Sequence, residues 1–175
     1  TLAANEVLMM FLSFAAFALD GFANACEAVV GEAYGRRDRR TLSQVVGVST
    51  IWAGIAAALV CLVFALNGED IVRLMTDVEE VREIAITYLP YAVLMPLFGV
   101  WSFQLDGIFI GATRGPDLKN SMLITAVLFL PAMVLLWLTL ANHGLWIGLV
   151  LLFVLRALTL WVRYPALVRE VETSA

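Results

Sequence analysis

Gly35-Arg36-Arg37-Asp38-Arg39-Arg40 separates two long apolar stretches, and the reading of that junction decides the fold. The stretch before it, from about Val7 to Tyr34, carries Asp20 and Glu27 inside it, and a later apolar stretch carries Asp106. A carboxylate in hydrocarbon is expensive and is kept mainly where ions, protons or substrates pass. Arginines gathered in a short loop mark the cytoplasmic side of a bilayer. Together these features imply an all-α polytopic membrane protein whose task is transport.

Composition agrees. Of 175 residues 62% are hydrophobic, against roughly half for a soluble domain, and the mean hydropathy is +0.90. A spanning helix needs about 20 apolar residues, so five fit within this length. The net charge of -4 says little about partners, and nothing in the sequence points to nucleic acid. Cys26 and Cys61 both fall in apolar segments, which suggests neither a disulfide framework nor a metal site. Thr1 leads directly into apolar sequence, so the chain is expected to be a piece of something longer.

The expected spans cover about Val7–Tyr34, Val45–Leu66, Ile84–Ile110, Met122–Ala141 and Leu145–Val168. Pro90 and Pro96 are expected to kink the third, Asn142-His143-Gly144 ends the fourth, and Arg156 interrupts the fifth. Basic residues alternate between the connections. The first loop has four arginines, the third has Arg114 and Lys119, and the last span and tail add Arg163 and Arg169. The second loop sets only Arg73 and Arg82 against Glu69, Asp70, Asp77, Glu79, Glu80 and Glu83. Positive residues collect on the cytoplasmic side, which puts the N-terminus outside and the C-terminus inside a cell inner (plasma) membrane. Thr76-Asp77-Val78-Glu79 has the pattern of a capping box, with Thr76 placed to accept from the amide of residue 79. The helix that follows is expected to run on into the third span.

Glu6, Ser13, Asp20, Asn24, Glu27 and Gly31 recur at helical spacing and form one polar stripe on the first span. Such a stripe faces a bundle interior or a wet cavity, not lipid. Asp20 and Glu27 lie about 10 Å apart along the axis, suited to two stations on one path. Tyr91, Met95, Ser102 and Asp106 form a second stripe, whose aromatic, polarizable and acidic groups suit an organic cation. Gly107, Gly111 and Gly115, like Gly31 and Gly35, leave smooth faces for a close helix neighbour. Glu32 is read as an interfacial ion-pair partner, and Arg156 as the partner of a carboxylate on another helix. His143 is assigned to an outer turn, with no proton-relay role.

Three stretches carry a family resemblance: Ala18-Leu-Asp-Gly-Phe-Ala-Asn-Ala-Cys-Glu-Ala-Val-Val-Gly-Glu-Ala-Tyr-Gly35, Leu74-Met-Thr-Asp77 and Gln104-Leu-Asp-Gly-Ile-Phe-Ile-Gly-Ala-Thr-Arg-Gly-Pro-Asp117. They resemble the multidrug and toxin extrusion (MATE) family, its DinF-like branch in particular. The resemblance covers residues 1–175 and implies helices eight to twelve of a twelve-helix transporter, a partial C-terminal lobe, with Leu2-Ala-Ala-Asn5 similar to the end of helix seven. Helix seven and the N-terminal lobe are then the missing partners of this piece. The family implies export of drugs or other amphipathic compounds in exchange for protons or sodium ions, with no other cofactor. Asp106 matches the acidic position of helix ten used for cation coupling or substrate contact, whereas Asp20 and Glu27 match the DinF-like branch.

The function so implied is a secondary antiporter working across the lipid bilayer on a small-molecule substrate. A flippase for lipid-linked precursors is a rival reading, opposed by the presence of only one deep cation, Arg156. A non-transporting fragment serving as a structural membrane partner is another. An intramembrane enzyme is set aside, because no serine or cysteine is matched with an intramembrane histidine and no metal-ligand motif occurs.

Overall fold

The computed structural model describes residues 1–173. They form five helices: α1 (Leu2–Gly35), α2 (Arg39–Met75), α3 (Glu79–Gly111), α4 (Gly115–Trp161) and α5 (Tyr164–Thr173). The first four are long and apolar enough to cross a bilayer, and their outward sides carry side chains such as Phe14, Phe17, Val127 and Leu138. The chain is a multi-pass membrane protein.

Where five separate spans are expected, α4 carries the last two as arms of one hairpin. Its helix breaks at Ala141, whose φ of 48° and ψ of −123° lie outside helical geometry. A Cβ on Gly144 would stand 2.0 Å from the Leu136 carbonyl oxygen, so only glycine lets the returning arm start this close. Thr159 then meets Ser121 at 2.5 Å and Thr125 at 3.2 Å, which fixes the arms antiparallel. The fifth expected span also ends early. The helix stops at Trp161, and 164–173 form α5, a short amphipathic helix that buries Leu167 and Val171. Pro165 suits the first turn of that new helix, where no amide hydrogen is needed.

Helix α3 is the centre of the bundle, packed by α1, α2 and α4, with the broadest contact against α1. One apolar cluster includes Leu8, Phe11, Phe64, Met95 and Trp146; a second, at the arginine-loop end, includes Val30, Leu42, Phe109, Leu160 and Leu167. Both α1 and α3 close at that end in the same way. The Asp38 amide donates to the Ala33 carbonyl and the Arg114 amide to that of Phe109. Arg37 and Thr113 take a positive φ of 56° in these turns, the position that glycine most often fills. Asp38 then caps α2, accepting from the Thr41 amide at 3.0 Å and its hydroxyl at 2.6 Å. Those bonds hold the exposed Asp38 carboxyl below its ordinary pKa.

At the opposite end the capping-box expectation is corrected. Because α2 runs on to Met75, Thr76 becomes its C-terminal cap, and its hydroxyl accepts from the Val78 amide at 3.3 Å, not from residue 79. Val78 precedes α3 without a side-chain cap. Arg82 folds back instead, donating to the carbonyls of Thr76 and Arg73 at 2.7 and 3.0 Å. The two prolines sit inside α3, which continues through both.

Candidate functional site

The site is built on the seam between α1 and α3. A Cβ on Gly107 would lie 2.4 Å from the Ala23 carbonyl oxygen, and one on Gly111 would lie 2.4 Å from that of Glu27. These two glycines let the backbones touch at successive turns. Gly31 joins the same seam, facing the Gly111 carbonyl, whereas Gly35 and Gly115 stand in open space and take no part. Locking α3 on α1 at residue 107 fixes the azimuth of its neighbour, Asp106.

Asp106 meets Arg156 from the returning arm of α4. Arg156 donates from a terminal nitrogen at 2.6 Å to one carboxylate oxygen and from Nε at 3.3 Å to the other. A two-point guanidinium–carboxylate contact fixes orientation as well as charge. The carboxylate is 14% exposed and the guanidinium 32%, so the pair is largely withdrawn from surroundings. Asp20 on α1 stands near enough for its charge to act on Asp106. Two acids and one guanidinium therefore share this part of the seam, with a formal charge of about −1 when all are ionised. A cation or proton has an electrostatic reason to enter such a cluster.

The other expected residues are spread along the bundle. Glu27 is half-buried beside the Gly111 contact, and Asn24 is exposed on the same helix. Met95 is buried and borders a pocket of about 200 Å³ with Leu12, Leu19 and Phe153. Ser102 is buried and donates its hydroxyl to the Gly99 carbonyl at 3.0 Å, within its own helix. Tyr91 lies about 22 Å along α3 from Asp106, where its hydroxyl meets His143 Nδ1 at 3.1 Å and its ring stacks on Trp146.

Sequence reasoning did not find the group around that ring. Tyr88 packs against His143 at 4.7 Å, and Asn5 accepts from Trp146 and Asn142 at 3.1 Å each. These contacts tie the start of α1 to the α4 hairpin; the Asn142-His143-Gly144 turn was the one available signal. At the arginine-loop end, Asp117 accepts from Arg114 at 2.6 Å and Arg163 at 2.8 Å, and Arg114 also pairs with Glu170. Burial raises the Asp117 pKa, but the two arginine hydrogen bonds and charges outweigh it and leave the carboxyl below its ordinary value. Glu32 pairs with Arg36 at 2.7 Å on the surface.

The family model MatE matches residues 1–138. The chain is 44% identical over 167 residues, 93% of its length, to DNA damage-inducible protein F of Escherichia coli (strain K12), and it spans 36% of that relative. Its backbone is similar to the crystal structure of the eukaryotic MATE transporter AtDTX14, with a TM-score of 0.81 at 18% identity over 98% of this chain and 41% of that one. At that identity the match speaks for the fold, and the family match together with the close relative speaks for descent. The chain belongs to the MatE family.

Proposed function

We propose that this chain forms part of the C-terminal lobe of a secondary antiporter that exports amphipathic, cationic compounds in exchange for protons or sodium ions. Membership of a transporter family sets the class and removes the enzymatic reading. The observation that carries the mechanism is the Asp106–Arg156 pair beside Asp20. In the state described, Arg156 occupies the Asp106 carboxylate. A cationic substrate reaches that carboxylate only by displacing the guanidinium, and a proton or sodium ion competes for the same oxygens. Exchange among three cations at one acid is a coupling device, because the two ligands cannot be bound there together.

The polar stripe of α1 supports this reading. Glu6, Ser13 and Asn24 are exposed and Asp20 and Glu27 are half-buried, so the stripe is open along one side of the bundle. The remainder of a transporter such as the relative it matches, of which it spans about a third, would close that side into a cavity lined by α1 acids. Asp20 and Glu27 then serve as further cation stations, and Asn24, Ser102, Met95 and Tyr91 as contacts along the substrate path. In this reading the arginine loop faces the cytoplasm and the N-terminus lies outside the cell inner membrane, an orientation that the asymmetry of basic residues supports.

Efflux of a fluorescent cationic dye from cells tests the assignment. Asp106→Asn is expected to abolish efflux while the protein inserts at its normal level. Full efflux in that variant would reject Asp106 as the coupling acid.

A further inference from the structure

The Arg156 guanidinium finds Asp106 and no other hydrogen-bond partner among the described residues. It ends a long side chain, which loses much rotamer freedom when its head is fixed. At 32% exposed it is not wedged in place by packing. Where Arg156 meets Asp106 is therefore set at its root, by the height and rotation of the returning arm of α4.

One side chain grips that root. Thr159 lies three residues past Arg156, about 4.5 Å along the axis and about 60° around it, on the same side of the arm. Its hydroxyl donates to the Arg156 carbonyl at 3.0 Å. A hydroxyl has one hydrogen and two lone pairs. With that hydrogen given to the carbonyl, Ser121 and Thr125 must be the donors in their contacts with Thr159, at 2.5 and 3.2 Å. Every hydrogen-bonding position of the Thr159 oxygen is then filled. Ser121 and Thr125 are both buried, and they stand one turn apart on the first arm. A grip at two successive turns fixes height and rotation together, because a slip of one residue would carry Thr159 about 1.5 Å past both.

We propose that Thr159 is a positioning residue for Arg156. Held by Ser121 and Thr125, it sets how the guanidinium sits on Asp106, and so how firmly Arg156 competes with an exported cation for that carboxylate. The positioning stands on geometry alone, whereas the competition rests on the exporter reading. Thr159→Val keeps the shape of the side chain and removes only its hydrogen bonds. It leaves no polar orphan, because Ser121 and Thr125 can turn to the carbonyls four residues back in their own helix, and the Arg156 carbonyl keeps its helical amide partner. With the root loosened, Arg156 holds Asp106 less often, and the carboxylate is open to another cation for a larger fraction of the time.

The test uses the natural full-length protein. Unfolding in mixed micelles containing dodecyl sulfate gives a cycle of four: native, Thr159→Val, Asp106→Asn and the double variant. Thr159→Val is expected to raise the unfolding equilibrium constant about fivefold in the native background and less than about twofold in the Asp106→Asn background, where the pair through which it acts is already gone. Equal rises in the two backgrounds would mean that Thr159 only joins the arms, and would overturn the proposal. Ser121→Ala removes one donor and leaves Thr159 intact. It is expected to show the same coupling in smaller measure, and serves if Thr159→Val does not fold. Dye efflux supplies the second readout. Thr159→Val is expected to lower KM for a fluorescent cationic dye about threefold, and Thr159→Ser to keep the native value. A merely structural lesion lowers the amount of active protein and leaves KM where it was. Coupling in the cycle with KM unchanged would uphold the positioning of Arg156 by Thr159 and overturn the competition that rests on the exporter reading.

Discussion

Replacing Gly107 by alanine tests the seam on which the site is built. The added Cβ would lie 2.4 Å from the Ala23 carbonyl oxygen, where carbon and oxygen ordinarily approach to about 3.3–3.6 Å. Relief requires the helices to part by about 1 Å, since the obstacle is backbone and cannot rotate aside. Gly111 meets the Glu27 carbonyl at the same 2.4 Å one turn later, so tilting about Gly107 offers no escape. Overpacking of this kind costs about 1–3 kcal/mol, and the better helix propensity of alanine returns up to about 1 kcal/mol. Gly21, on the same helix as Ala23 but with nothing within 4 Å of its added Cβ, supplies the control. Gly21→Ala collects the propensity gain alone, so the two variants should differ by about 1–3 kcal/mol. Gly31→Ala, 3.2 Å from the Gly111 carbonyl oxygen, should fall between them. Equilibrium unfolding in mixed micelles containing dodecyl sulfate, followed by tryptophan fluorescence, measures the series. Stabilities of Gly107→Ala and Gly21→Ala equal within about 0.5 kcal/mol would show that the backbones do not touch as described.

Three further outcomes follow from local geometry. Thr113 is β-branched and holds a φ of 56°, so Thr113→Gly should stabilise the α3–α4 turn by about 1 kcal/mol in the same unfolding assay, and a loss would contradict the strain argument. The Asp117 carboxyl sits below its ordinary pKa in the folded chain, so its stabilisation is present above about pH 4, the unfolded value, and is lost as pH falls through the folded value. Wild type should therefore lose more stability than Asp117→Asn on acidification below about pH 4, and parallel curves would remove Asp117 from the clamp. For orientation, single cysteines placed at Arg40 and Asp77 in a chain with Cys26 and Cys61 replaced should label differently from outside intact cells. Residue 77 should react and residue 40 should not, and the reverse pattern would invert the topology.

Apolar run length made the membrane class legible in the sequence, and the three stretches at 18–35, 74–77 and 104–117 carried the resemblance to the family. The sequence sets a polar turn, Asn142-His143-Gly144, next to the break at Ala141, but how closely the two arms pack was not legible, because it rests on Thr159 meeting Ser121 and Thr125 across 38 and 34 positions. The end of the last span was hidden for a different reason. Leu167 and Val171 continue the apolar pattern past Trp161, although they belong to α5 and are buried against the bundle. Pro165 was the legible warning. The local motif at Thr76 misled because the length of α2, a tertiary matter, decides which helix that residue caps. In the site, Asp20, Asp106 and Arg156 could each be singled out as charges in hydrocarbon. Which acid holds Arg156 depends on the angle at which α4 returns, and no spacing within one helix encodes that.

The turn at Ala141 has a mechanical consequence. A connection this short has no slack, and Thr159 stitches its arms together again at the far end through Ser121 and Thr125. The pair behaves as one stiff paddle. Its first arm presents Val127, Leu130, Leu135 and Leu138 outward, each more than 60% exposed, and its second arm holds the guanidinium that occupies Asp106. Joined at both ends, the lipid-facing arm and the arm that carries Arg156 form one body, so a tilt of either is a tilt of both.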